Sequence, residues 1–178
     1  MDNKEQISLM IRSAIERLRD CQETLAQHDK NRLHFLQSVY GNAIDEMLKD
    51  SETAIRGLNN KIPEVRLVAV VAIKEFWRVP AITVAKQRLE IMCHFESHPL
   101  IRANAVYCIC QLYASTNDRR IGHFLAKMVL DSTIPIEVRK VAYVGLYEIT
   151  GKPVESWPGF IEDFNFPIDV DWKFVESF

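Results

Sequence analysis

Apolar residues recur every three or four positions along most of the chain, the period of helices packed by one face. Ile7, Ile11, Ala14, Leu18, Cys21 and Leu25 form the first stripe, with Arg12, Glu16, Arg19 and Glu23 on the other face. The stripe predicts an amphipathic helix resting on the rest of the protein, because it is too short for a free-standing coiled coil. Leu33, Leu36, Val39 and Tyr40 predict a second helix ending near Gly41 and Asn42. Ile44, Met47, Leu48, Ala54, Ile55 and Leu58 predict a third, which Asp50-Ser51 can split and Asn59-Asn60 stops.

From Pro63 the pattern repeats. Arg66, Arg102 and Arg139 stand 36 and 37 residues apart. One position before them come Val65, Ile101 and Val138; three after come Ala69, Ala105 and Ala142. Six after come Ala72, Cys108 and Gly145, seven after Ile73, Ile109 and Leu146, and ten after Phe76, Leu112 and Ile149. Pro63, Pro99 and Pro135 precede the arginines by three or four residues. A proline is tolerated in the first helical turn, where its missing N–H had no partner. The columns at minus one, plus three, plus seven and plus ten share one helical face, and the small residues let neighbouring helices come close.

Partner helices are predicted between these, at about 82–95 with Ala85, Leu89, Met92 and Phe95 inward, and about 119–130 with Ile121, Phe124, Leu125 and Met128 inward. Pairs of helices at this period are the signature of a stacked array. Pro63-Glu64-Val65-Arg66 with the apolar run after it, Pro99-Leu100-Ile101-Arg102 and Glu137-Val138-Arg139 resemble the HEAT-repeat family, including the repeats carried by phycobilin lyases. The resemblance covers about 61–150 and implies an all-α fold, an α-α superhelix or right-handed solenoid. Such repeats often place an Asp in the turn before the Val-Arg pair. Asp131 can fill that place for Arg139, whereas the earlier repeats have Asn59, Asn60, Glu96 and Ser97 there.

After Gly151 the composition changes. Trp157, Phe160, Phe164, Phe166, Trp172, Phe174 and Phe178 alternate with acids and with Pro153, Pro158 and Pro167. The prolines forbid one continuous helix, and so many aromatics argue for a packed segment. The expected organisation is therefore a single domain over 1–178, with N-terminal helices in 1–60, repeats in 61–150 and an irregular aromatic cap in 151–178.

Composition narrows the function without naming it. A net charge of −2 argues against a general nucleic-acid binder, and no apolar run is long enough to span a bilayer. The opening Met1-Asp2-Asn3-Lys4-Glu5 carries no apolar signal core, so a cytoplasmic protein with reduced cysteines is expected. Cys93, His94, His98, Cys108 and Cys110 are the sharpest metal candidates, but Cys108 and Cys110 point about 200° apart on a helix. No metal site and no cofactor are expected. There is no nucleophile elbow and no phosphate loop. The His-Glu pairs of di-iron hydroxylases with this architecture are missing, and Trp77 has no nearby Asp of the kind used by HEAT-like DNA glycosylases.

The expected function is a non-catalytic module that binds another protein, of regulatory or immunity type. A HEAT-like DNA glycosylase, and a lyase or chaperone-like factor for a cofactor-bearing protein, stand as alternatives. The candidate contact residues are Lys86 and Glu90 on one second helix with Arg120, His123 and Lys127 on the next, on the concave side that solenoids use for partners.

Overall fold

The computed structural model describes Arg12, residues 41–153, 156–157 and 165–178. Apart from Arg12, the first two helices expected from the sequence lie outside these residues. Every regular element among the described residues is helical, as expected, and none of these helices is long and apolar enough to cross a membrane. The chain divides into two compact units, 1–85 and 86–178, with the division inside the helix Arg78–Phe95.

In the first unit, helix α1 (41–49) stops at Asp50, whose extended backbone starts α2 (Ser51–Gly57). The Asp50 carboxylate accepts from the Thr53 N–H at 2.8 Å and the Glu52 N–H at 3.2 Å. It thereby satisfies two of the donors left over at a helix start. The expected split at Asp50-Ser51 is therefore real. Helix α3 (Pro63–Ala72) widens into a π-helical turn, Ile73–Trp77, that ends at Arg78 with φ 52°. Both α3 and this turn pack against α2. The Trp77 indole N–H donates to the Met47 carbonyl at 2.9 Å, using an acceptor in the last turn of α1. Helix α4 (Arg78–Phe95) begins four residues before the expected 82, because Pro80 sits within its first turn.

The repeat columns translate into burial. Ala69, Ala105 and Ala142 are fully buried, and so are Ile101, Val138, Ile73, Leu146 and Cys108. Pro63 and Pro99 open α3 and α5 (Pro99–Leu112), whereas Pro135 stands just before α7 (Ile136–Ile149). The arginine column is explained by what its side chains hold. Arg102 Nε donates to the Cys93 carbonyl at 2.7 Å, and Arg139 Nε to the Val129 carbonyl at 3.0 Å. Arg66 Nη1 donates to the Asn60 carbonyl at 2.9 Å. Cys93 and Val129 lie in the last turn of α4 and of α6 (Arg119–Leu130). A guanidinium there satisfies orphan carbonyls and faces the negative end of the helix. Asp131 also responds to this column. Hydrogen bonds from Thr133 hold its carboxyl below the ordinary range, and the fields of Arg102 and Arg139 add to that.

One inward residue was misplaced. Phe95 is 81% exposed. It lies six residues after Leu89, about 120° round the helix. The buried stripe instead runs Ala85, Leu89, Met92, Cys93 and then Glu96. The Glu96 carboxylate accepts the His98 N–H at 3.1 Å, which satisfies a buried acid.

In the second unit α7 packs against both α5 and α6. Gly145 lets it approach: a Cβ there would overlap the Cys110 Sγ and come within 3.3 Å of Leu125 Cδ1. The connection from α5 to α6 bends through Ser115 and Asn117, both at positive φ. Their N–H groups reach the Glu148 and Ile149 carbonyls at 2.9 Å each, closing the end of α7.

The described part of the C-terminal segment lies on α7 and α6. Its short helix α8 (Trp172–Glu176) buries Val175, and Phe166 and Val170 are buried before it. Phe174 packs edge-on to Tyr147 at 4.8 Å and to Phe178 at 5.4 Å. Lys152 Nζ lies 3.6 Å from the Phe174 ring centroid, and the Arg139 guanidinium 4.4 Å from that of Phe166. The Asp171 N–H donates to the Tyr143 hydroxyl at 2.8 Å. Phe178 fits against α6 because Gly122 has no side chain: a Cβ would sit 2.6 Å from Phe178 Cε1. Glycine costs a helix interior about 1 kcal/mol relative to alanine, so this notch is a specific device.

Candidate partner-binding ridge

The candidate residues sit on two helices of the second unit, Lys86 and Glu90 on the C-terminal half of α4 and Arg120, His123 and Lys127 on α6. One ring contact joins these helices, and a second ties α4 to the end of α5. His94 packs on Phe124 with centroids 4.9 Å apart. Lys86 Nζ lies 5.0 Å from the centroid of Tyr113, the residue that ends α5.

Lys86 is bound on several sides. Its ammonium is 3.8 Å from the Glu90 carboxylate, one helical turn on. Tyr113 holds the Lys86 pKa above its ordinary value, first by a hydrogen bond and then by charge, and Glu90 adds to this. Arg120 acts in the opposite direction, so the ammonium and the guanidinium lie within each other's field.

Arg120 is placed by the start of its own helix. Asp118 caps α6, its carboxylate accepting from the Arg120 N–H at 2.9 Å and the Ile121 N–H at 3.3 Å. The same carboxylate accepts from Arg120 Nη2 at 3.0 Å. That pairing raises the Arg120 pKa and lowers that of Asp118. The Arg120 side chain is nonetheless 85% exposed, and the guanidinium keeps free donors.

His123 and Lys127 are exposed, but they do not serve one contact. His123 Nδ1 lies 3.3 Å from the main-chain oxygen of Phe178, so it faces the C-terminal segment. Lys127 and the neighbouring Arg119 have no ion-pair partner among the described residues. The structure therefore gathers Lys86, Glu90 and Arg120 around Tyr113. It leaves Lys127 on the solvent arc of α6 and turns His123 toward the tail.

Sequence reasoning missed Tyr113, Phe124 as a link between helices, and Phe178. Phe124 was read as inward; it is half-buried, on the arc between the buried stripe and Arg120. An aromatic on that border was the available signal for a helix neighbour. Nothing in the sequence marked Tyr113, which follows the last turn of its helix.

Other chemistry is accounted for by packing. Cys93, Cys108 and Cys110 are buried free thiols. Burial pushes the Cys93 and Cys110 thiols far above their ordinary range, where they are poor nucleophiles and poor ligands. Among the described residues no group of three or more His, Cys, Asp or Glu could hold a metal ion. What the ridge offers is cations of mixed commitment, interrupted by two carboxylates and flanked by rings. No protein-family model, no curated protein and no solved structure matches this chain.

Proposed function

We propose that the chain is a non-catalytic protein-binding module: HEAT-like helix pairs stacked as a right-handed superhelix, closed at one end by the aromatic C-terminal segment. Its partner contacts the ridge of α4 and α6. The repeat reading is supported by the matching roles of Arg102 and Arg139, each tying its helix to the end of the preceding one. It is supported also by the buried alanine column.

The observation that carries the functional reading is the pairing of His94 with Phe124 and of Lys86 with Tyr113. The first contact supports reading the exposed rows of α4 and α6 as neighbours, and the second ties α4 to the end of α5. Repeat arrays bind partners through such composite surfaces, because no single helix presents enough area. The test is affinity purification with the full chain and with Arg120→Glu/Lys127→Glu. Both side chains are exposed, so circular dichroism should report an unchanged fold. A stoichiometric partner retained by the parent and lost by the double variant is expected. A folded double variant that keeps its partner undiminished moves the site off the ridge.

A further inference from the structure

We infer that the element docking on this ridge is an acidic amphipathic helix lying along α6. Its carboxylates would meet Arg120 and Lys127, and an apolar side chain would meet Leu130. The inference rests on the reading of the ridge as a protein-binding face.

The solvent arc of α6 is ordered along its length. Arg120, Lys127 and Leu130 follow one another by seven and three residues, which keeps them on one stripe about 15 Å long, while His123 between them faces the C-terminal segment. Leu130, at the far end, is 49% exposed. The stripe therefore runs from two exposed cations to an apolar terminus. A helix laid beside it has the same rise per residue, so acids seven positions apart reach Arg120 and Lys127 together. A leucine or similar residue one turn beyond the second acid reaches Leu130.

Charge favours a polypeptide over a nucleic acid. Lys86, Arg119, Arg120 and Lys127 make this face basic on a chain whose net charge is −2. Glu90 and Asp118 stand within the same face, each against a cation. A phosphate backbone, one negative charge after another, meets both carboxylates. A helix can place its acids between them and keep neutral residues opposite them. The Asp118–Arg120 pair does not block this, because an exposed ion pair re-partitions readily when a second carboxylate arrives.

The test uses labelled helical peptides and fluorescence anisotropy with the full chain. The probe is an alanine-based helix with Glu at i, i+4 and i+7 and Leu one turn beyond. Comparison ligands are a scramble of the same composition, the same helix with Lys for Glu, and a single-stranded oligonucleotide of equal charge. The proteins are the parent, Arg120→Glu/Lys127→Glu, and Lys140→Glu/Lys173→Glu as a charge-matched control on α7 and α8. The Glu helix should bind the parent and lose roughly tenfold or more on the reversed ridge at about 50 mM salt, with the gap closing near about 500 mM. The control should stay within about twofold of the parent, and the Lys helix should now prefer the reversed ridge. Equal binding of the Glu helix to parent and reversed ridge, or equal binding of the scramble, overturns the inference. So does a Glu helix that fails to bind while the purified partner still depends on Arg120 and Lys127; the protein-binding reading then survives with another partner chemistry. An oligonucleotide that binds more tightly than the Glu helix, and is lost on the reversed ridge, overturns both.

Discussion

Replacing Gly145 with alanine sets two known effects against each other. Alanine is the better helix former by about 1 kcal/mol, so an open site would gain stability. Gly145 is not open. Its missing Cβ is the space taken by the Cys110 Sγ, with Leu125 Cδ1 at 3.3 Å closing another side. Cys110 is wholly buried on α5, whose neighbour α7 also packs against α6. Overpacking of such a site costs about 1–3 kcal/mol, so Gly145→Ala should be destabilising by a net ~1 kcal/mol or more. Cys110→Ala removes the sulfur and leaves a small void, costing about 1 kcal/mol by itself. Together the two changes should be milder than their sum, because the new methyl occupies the vacated space. The coupling should fall in the range of about 0.5–3 kcal/mol that contacting residues show. Urea titration followed by circular dichroism measures all four corners of this cycle. A Gly145→Ala protein as stable as the parent, or strictly additive changes, would refute the idea that the small-residue column sets the approach of α7 to α5.

Other consequences are as direct. Ala105→Leu should lower stability by about 1–3 kcal/mol, since Ala105 is fully buried; an unchanged melt removes this column from the core. Deleting 165–178 should lower the melting temperature and promote aggregation by uncovering apolar surface on α7 and α6; a truncated chain that stays monomeric and equally stable defeats the capping role. Burial pushes the Glu148 carboxyl up to about 7, so the folded state holds its proton longer than the unfolded state and stability should fall as pH rises from about 4.5 to 7. Glu148→Gln should abolish that fall, gaining about 1–2 kcal/mol at pH 7.5 once partial solvent exposure is allowed for, and almost nothing at pH 4.5; an equal gain at both pH values excludes titration as the cause.

The residues that made the helices legible were those whose burial follows from spacing alone. Ala69, Ala105 and Ala142 recur at the repeat period, and each is fully buried. The boundaries of α6 were legible too: the expected 119–130 is the helix observed, and the structure adds that Asp118 caps its start. Errors came where a local rule met a competing one. Phe95 looked inward because large apolar residues usually are, yet the helical angle gave its place to Glu96, which the His98 N–H satisfies. The start of α4 was set four residues too late; Pro80 lies within its first turn, where a proline does not interrupt a helix.

The candidate ridge was legible only in part, for a physical reason. Helical spacing fixes which side chains share one helix face, so Lys86 with Glu90 and Arg120 with Lys127 could be grouped from the sequence. Spacing says nothing about what fills the seam between two helices. Tyr113 comes from the end of α5, and Phe178 from the end of the described chain, each brought there by tertiary packing. The consequence for His123 is concrete. Its contact with Phe178 depends on the Gly122 notch, so Gly122→Ala should displace the Phe178 ring and release His123 toward solvent. The helix itself would gain up to about 1 kcal/mol from the alanine, so loss of the contact can be separated from loss of the fold. Limited proteolysis should then cut the 165–178 segment faster while the melting temperature holds or rises. Unaltered cleavage would mean that the notch does not hold the tail and that His123 belongs with Lys127 on the open stripe of α6.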